Sequence, residues 1–170
     1  MTKMNKPEQY IVQLKFETAR CSIRPFQEDD IDRFMAYRND MDWMKYQDFK
    51  GLSTQAYREV LLCTGDIKKG VQLAVTDKQA KTLIGDLYLK QDNNVCWIGY
   101  TIAPGKARQG YMYEVVSALI SHMAFQGIDE IKAGVASENI ASISLLEKLG
   151  FTFAGTEGGE KIFTRVLVKP

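Results

Sequence analysis

The sequence predicts an α/β domain of the α+β kind, with helices packed on a mixed sheet, and three observations carry that prediction. Apolar runs of strand length, Val71–Thr76, Thr82–Gln91 and Val95–Ile102, follow one another with only short polar turns between them. Two stretches with apolar residues at helical spacing precede them, and a strand–helix–strand–helix run from Trp97 to Phe151 follows. Hairpins beside one such run call for a sheet with both antiparallel and parallel pairs.

A chain of 170 residues suits one domain whose core needs no disulfide or metal, expected over 16–170 after a partly ordered N-terminal extension over 1–15. With 45% hydrophobic and 25% charged residues and a net charge of +1, the chain offers no electrostatic reason to expect nucleic acid or an anionic membrane as partner. Cys21, Cys63 and Cys96 are far apart, odd in number and without CxxC spacing, which argues against a disulfide framework or a zinc site and for a reducing compartment. The first residues lack an apolar stretch of signal-peptide length, and no segment approaches the ~20 apolar residues of a membrane helix. A cytoplasmic protein is expected.

Along the chain, Cys21–Pro25 reads as a strand, ended by a proline that cannot extend a central ladder. Gln27–Asp30 supplies helix-start carboxylates, and Ile31, Phe34, Met35 and Arg38 continue at helical spacing. Ser53 or Thr54 is placed to cap a second helix with Ala56, Tyr57, Val60 and Leu61 on its buried face. Asp77–Lys81 and Asp92–Asn94 are hairpin turns between the three strands that follow. A third helix starts near Gly110, with Val115, Val116, Leu119, Ile120 and Met123 as its apolar stripe. Ile131–Val135 is a short strand, and Asn139–Leu149 a helix closed by Gly150 at the C′ position. Phe151–Ala154 and Lys161–Val168 form a last hairpin around Gly155, Gly158 and Gly159.

The turn before the third helix carries the first chemical signal. Phosphate binding needs unpaired N–H groups at a helix N-terminus and a backbone that a ligand can approach. Arg108, Gln109, Gly110, Tyr111 and Met112 stand where such groups would point outward, and Lys106 and Arg108 add positive charge. Taken alone, the glycines Gly105 and Gly110 are equally consistent with a plain turn into a surface helix.

The run around that turn resembles the GNAT superfamily of acyl-CoA-dependent N-acetyltransferases, in particular the RimJ/RimL-like branch of ribosomal-protein N-terminal acetyltransferases. The family turn, Arg/Gln-x-x-Gly-x-Gly/Ala, falls on Ala107-Arg108-Gln109-Gly110-Tyr111-Met112, where Gly110 and Tyr111 match and a GYxxE run ends at Glu114. Asn139-Ile140-Ala141-Ser142 matches the family's Asn-x-x-Ser, and Glu147-Lys148-Leu149-Gly150-Phe151 its Glu-Lys-x-Gly-Phe. Element order agrees from Phe16 to Val168, and the specific matches lie in Ile98–Phe151. The resemblance implies a mostly antiparallel central sheet, splayed at the cofactor site and flanked by about four helices. It implies acetyl-CoA (coenzyme A) as cofactor, held by Lys106, Arg108, Gln109, Gly110, Tyr111 and Met112 at the pyrophosphate. Backbone groups around Thr101 and Ile102 are then expected to align the pantetheine arm, with Asn139 and Ser142 contacting it nearby. Ala107 and Met112 depart from the pattern: one removes a polar partner, the other puts a long side chain where backbone and cofactor pack tightly. Weakened binding is expected from both.

The family reaction is direct attack of a primary amine on the thioester through a tetrahedral intermediate, which needs a base, an oxyanion donor and a route to protonate the departing thiolate. Trp97 stands where many relatives carry a glutamate, so the base falls to Asp86 within the apolar run Leu83–Leu89, acting directly or through water. An Asp on the solvent face of an alternating strand is the plainer reading of the same residue. Glu114 is the second carboxylate, more readily explained as compensating the helix dipole. Leu146 replaces the usual tyrosine acid, a small loss because a thiol of pKa about 8.5 leaves readily. Ser142 resembles the serine some relatives use near the sulfur, while Asn139 reads equally as cofactor contact or helix cap. Trp97, Tyr100, Tyr88, Trp43 and Tyr46 are candidates for an acceptor pocket, with core positions expected for at least half of them. His122 is expected at the rim of the third helix.

The resemblance implies as acceptor a protein N-terminus, a polyamine, an aminoglycoside-like antibiotic or another small metabolite, and the acidic residues Asp40, Asp42 and Asp48 would suit a cationic one. The alternative from a different class is a non-catalytic acyl-CoA-binding or regulatory protein on the same fold. A nucleotide-binding α/β protein is rejected, since the chain has neither a P-loop nor a GxGxxG turn. Dimers are common in the family, so a homodimer is compatible, but the sequence identifies no interface.

Overall fold

The computed structural model describes residues 14–63 and 65–169. The extension expected over 1–15 therefore lies outside the described residues, save for Leu14 and Lys15. The described residues begin with two strands, β1 (Phe16–Glu17) and β2 (Cys21–Pro25), then two short helices, α1 (Ile31–Arg38) and α2 (Thr54–Leu61). Strands β3 (Val71–Asp77), β4 (Leu83–Asp92) and β5 (Val95–Ile102) form a meander. After it come α3 (Tyr111–Phe125), β6 (Glu130–Ala136), α4 (Ile140–Lys148), β7 (Thr152–Glu157) and β8 (Glu160–Val166). Among the described residues eight strands join one sheet in the order β1-β2-β3-β4-β5-β6-β8-β7, antiparallel except for the β5–β6 pair.

Two apolar clusters occupy opposite faces of this sheet, as the alternation along β3 demonstrates. Leu73 and Val75 pack with the α3 stripe, while Ala74 between them packs with Phe34 of α1 and Tyr57 of α2. The α3 stripe is buried as its spacing predicts: Val115, Val116, Leu119 and Met123 are fully enclosed and Ile120 nearly so. The expected α2 face is only half right. Tyr57 and Leu61 are buried, but Val60 is 49% exposed, because this eight-residue helix touches the core with one i, i+4 pair.

Ser53 is the N-cap of α2, its Oγ accepting the Ala56 N–H at 3.2 Å. Replacing Ser53 by Ala orphans that donor and is expected to cost about 1 kcal/mol in urea denaturation, with no change in ligand binding. Helix α4 closes as its glycine predicts. Gly150, at φ 83°, donates its N–H to Glu147 at 3.0 Å and Phe151 donates to Leu146, also at 3.0 Å. Leu146 and Phe151 are both buried, the apolar pair that accompanies such a closure. Leu146 is fully buried in that packing, and it also lines the cavity between β5 and β6.

Candidate active site

The sheet splits between β5 and β6. β5 keeps β4 beside it from Val95 to Ile102, and β6 keeps β8 beside it from Glu130 to Ala136. The two strands pair with each other only over Val95–Trp97 and Glu130–Lys132, so beyond Trp97 β5 has an edge without a partner strand. A cavity of about 110 Å³ opens in this wedge, walled by Tyr100 on β5, residues 133–136 on β6 and the N-terminal turn of α4. The loop between α1 and α2 supplies the remaining wall through Tyr46, Gln47 and Asp48, and Glu160 stands at its margin. This loop touches both lips of the wedge: the Trp43 indole N–H donates to the Ile102 carbonyl at 2.8 Å, and the Tyr46 hydroxyl to that of Glu138 at 3.2 Å.

Within the cavity, the Tyr100 hydroxyl and Ser142 Oγ are 2.7 Å apart, with either able to donate. Burial pushes the Tyr100 phenol up to about 12, partly offset by the bond to Ser142, so it stays protonated at neutral pH. Asn139 caps α4, its Oδ1 accepting the Ser142 N–H at 3.3 Å, which leaves its amide nitrogen as the group for a ligand.

Directly beyond this open end of β5 the chain makes a short 3₁₀ turn, Pro104–Lys106, and enters α3 through two left-handed residues, Arg108 at φ 62° and Gly110 at φ 78°. The first intrahelical bond of α3 runs from the Glu114 N–H to the Gly110 carbonyl at 3.1 Å. The N–H groups of Tyr111, Met112 and Tyr113 therefore have no carbonyl within the helix and point out of its first turn. Arg108, Gln109 and Gly110 are exposed here, with Lys106 beside them. Met112 corrects the expectation of an obstructed turn. Its side chain is directed into the core, 8% exposed, over Gly85, and so does not cover the exposed side of the turn. Gly85 is required by that arrangement, since an added Cβ would stand 2.4 Å from the Thr101 carbonyl oxygen.

A residue the sequence did not reveal braces the turn. Arg20, between β1 and β2, donates from Nη1 to the Gln109 carbonyl at 3.1 Å, lies 4.0 Å from the Tyr111 ring centroid and pairs through Nε with Glu114 at 2.8 Å. Glu114 also accepts from the Arg20 backbone N–H and from the Thr18 hydroxyl. Partial burial pushes the Glu114 carboxyl up, but the hydrogen bonds from Thr18 and Arg20 outweigh it and hold the group below its usual value. Glu114 is thus engaged with the β1–β2 turn, its two oxygens accepting three hydrogen bonds from Thr18 and Arg20.

Asp86 is neither on a solvent face nor in apolar surroundings. It is fully buried, and its oxygens accept from Arg38 Nη2 at 2.6 Å, from Gln72 Nε2 at 2.7 Å and from the Tyr37 hydroxyl. Thr101, 8% exposed, joins the same cluster through Arg38 Nη2 at 3.2 Å. Of the candidate aromatic residues, Tyr46 and Tyr100 line the wedge and Trp43 holds its lip. Trp97 lies on the paired part of β5 beneath Lys132, and Tyr88 packs against the backbone of Gly70. Of the three loop carboxylates, Asp48 reaches the cavity, while Asp40 accepts the Trp43 N–H at 3.1 Å. His122 stacks on Phe16 at 4.8 Å between ring centroids, half-buried as expected of a rim residue.

The profile of the acetyltransferase (GNAT) domain matches residues 20–152, most of the chain and all of the wedge except Glu160. The chain belongs to the GNAT acetyltransferases. It is 28% identical over 147 residues to the uncharacterized N-acetyltransferase YoaA of Bacillus subtilis, covering 82% of this chain and 83% of that one. Its fold is that of a GNAT-family acetyltransferase from Bacillus anthracis, with a TM-score of 0.77 at 22% identity over 89% of this chain and 98% of that one. It is also that of RimL, a ribosomal L7/L12 alpha-N-protein acetyltransferase solved with coenzyme A, with a TM-score of 0.76 at 17% identity over 92% and 97%. The cofactor of this GNAT family is acetyl-CoA. Bare N–H groups on the first turn of α3 suit its pyrophosphate, and the unpaired edge of β5 suits an extended, amide-bearing arm.

Proposed function

We propose that this protein transfers an acetyl group from acetyl-CoA to a primary amine, a protein N-terminus or a small-molecule amine, inside the β5–β6 wedge. The observation that carries the reading is the free edge of β5 between the bare turn of α3 and the hydroxyl pair Tyr100–Ser142. When bound, acetyl-CoA supplies the activated acyl group. Gly110, Tyr111 and Met112 bind phosphate through backbone N–H groups, with Lys106, Arg108 and Gln109 at the margin. Backbone groups of β5 up to Thr101 and Ile102 orient the acyl arm, and Asn139 adds an amide contact. Of the hydroxyl pair Tyr100–Ser142, one O–H donates to the other, and the remaining O–H is the donor to the thioester sulfur.

The amine enters from the side of the α1–α2 loop. Asp48 and Glu160 are the carboxylates at the cavity mouth, and the ammonium proton leaves through water toward them. Asp86 takes no part in that transfer, because its oxygens already accept from three donors, Tyr37, Arg38 and Gln72. The absence of a glutamate at Trp97 is thereby met at the mouth of the cavity instead of on the strand.

The test is thiol release from acetyl-CoA across peptides with free α-amines, polyamines and aminoglycosides. Release with at least one amine, and none with an Nα-acetylated peptide lacking lysine, is the expected result. A protein that is stabilised by CoA yet releases no thiol across the panel is the non-catalytic acyl-CoA-binding alternative.

A further inference from the structure

The buried polar cluster on the α1–α2 face of the sheet is unused by the reaction just described. Arg38, the last residue of α1, is 3% exposed, and Asp86 is fully buried. From one guanidinium, Nη2 reaches Asp86 on β4 and Thr101 on β5, while Nη1 donates to the Phe49 carbonyl in the α1–α2 loop at 3.0 Å. The rings of Phe34 and Phe49 flank it, with centroids 5.1 and 5.6 Å away, and Nε has no partner. A single side chain thus joins a helix, two strands and a loop.

Stability does not account for such an arrangement. Taking both charges out of water offsets most of their attraction, and a well-packed apolar pair often does as well or better. What the pair supplies is direction. Phe49 follows Asp48, and the same loop carries Tyr46, Gln47 and Asp48 into the wedge. On the opposite side of Arg38 stands Thr101, where β5 runs without β6 beside it. Asn39 closes the loop base by accepting the Gly51 N–H at 2.9 Å and donating to the Leu52 carbonyl at 3.1 Å.

We propose that the Arg38–Asp86 ion pair is a positioning device for the acceptor: it sets the α1–α2 loop, and with it the acceptor wall, against the open end of β5 without touching either substrate. The role rests on the acetyltransferase reading for its kinetic consequence, but its structural consequence is measurable without it. Lysine does not replace Arg38 in this role, because an ammonium lacks the planar fork that reaches three acceptors at once.

The experiment compares the full chain with Arg38→Lys, Asp86→Asn and the apolar double variant Arg38→Met with Asp86→Leu. The first readout is amide hydrogen exchange. Residues 39–53 exchange at least about tenfold faster in the variants, while β3, β4 and α3 keep their protection and the thermal shift with CoA is retained. The second is steady-state kinetics with whichever panel amine the wild type acetylates: acceptor KM rises about tenfold or more, with KM for acetyl-CoA unchanged and no rescue by lysine. Wild-type exchange over 39–53 in a folded variant overturns the proposal. So does an Asp86→Asn enzyme that loses kcat at unchanged acceptor KM, since that is the signature of a base. Failure of the acetyltransferase reading shows separately, as a wild type that releases no thiol.

Discussion

Removing both cavity hydroxyls, Tyr100→Phe with Ser142→Ala, lowers kcat about 30-fold while acetyl-CoA binding stays within about threefold of the wild type. The two groups are 2.7 Å apart and either can donate, so each single variant leaves a donor behind and loses less than half of that effect on a logarithmic scale. A donor to the sulfur lowers the barrier only as negative charge develops there, which places the loss in kcat and not in binding. The expected factor is modest because a thiolate with a conjugate acid of pKa about 8.5 leaves with little help. Tyr100 titrates near 12, so no alkaline decline from this group is expected below pH 10. Thiol release under saturating acetyl-CoA measures the first quantity, and thermal unfolding with CoA the second. An unchanged kcat in the double variant would assign the sulfur to another donor.

Arg20→Ala weakens acetyl-CoA binding about tenfold and leaves the acceptor KM unaltered. Nothing about Arg20 requires direct contact with the cofactor. It holds the Gln109 carbonyl and the Tyr111 ring, and so fixes how the turn presents its N–H groups. Glu114→Gln has the same sign and a smaller size, because the amide oxygen still accepts from Thr18 and from the Arg20 backbone. The pH dependence follows from the lowered carboxyl. A group whose value is depressed in the fold contributes above its unfolded value and is lost as pH falls through the folded one. Acetyl-CoA binding by the wild type therefore stays level from neutral pH into the ordinary carboxylate range and weakens below it. In Glu114→Gln that acid decline is absent. Isothermal titration of acetyl-CoA at a series of pH values distinguishes the two proteins.

Both predictions concern pairs that local sequence patterns do not reveal. Arg20 and Glu114 stand 94 positions apart, Tyr100 and Ser142 42 apart, and Arg38 and Asp86 48 apart. What was legible was periodic or punctuated: the α3 stripe, the meander of β3 to β5, Gly110 at the head of α3 and Gly150 at the tail of α4. The solvent-face reading of Asp86 fails because β4 is buried on both faces from Leu83 to Leu87, so alternation along the strand does not report exposure. An irregularity beside Ile84 shifts the register there as well, with Val75 opposite Gly85 but Thr76 opposite Leu83. Met112 looked obstructive because a turn motif gives side-chain identity without direction. As the second residue of α3 it faces the sheet, and Gly85 makes the room. The two-residue strand β1 escaped notice because Phe16–Glu17 is too short to show a period.

The measurement that tests the account most directly is thermal unfolding of the protein with acetyl-CoA, CoA and ATP at equal concentration. A ligand that binds only the folded state at about 100 times its Kd adds about 2.7 kcal/mol to the apparent stability, enough to move the midpoint by several degrees. The wedge and the bare turn of α3 predict a clear rise with both CoA species and none with ATP. No rise with millimolar CoA, or an equal rise with ATP, would contradict the assignment of this site to acetyl-CoA.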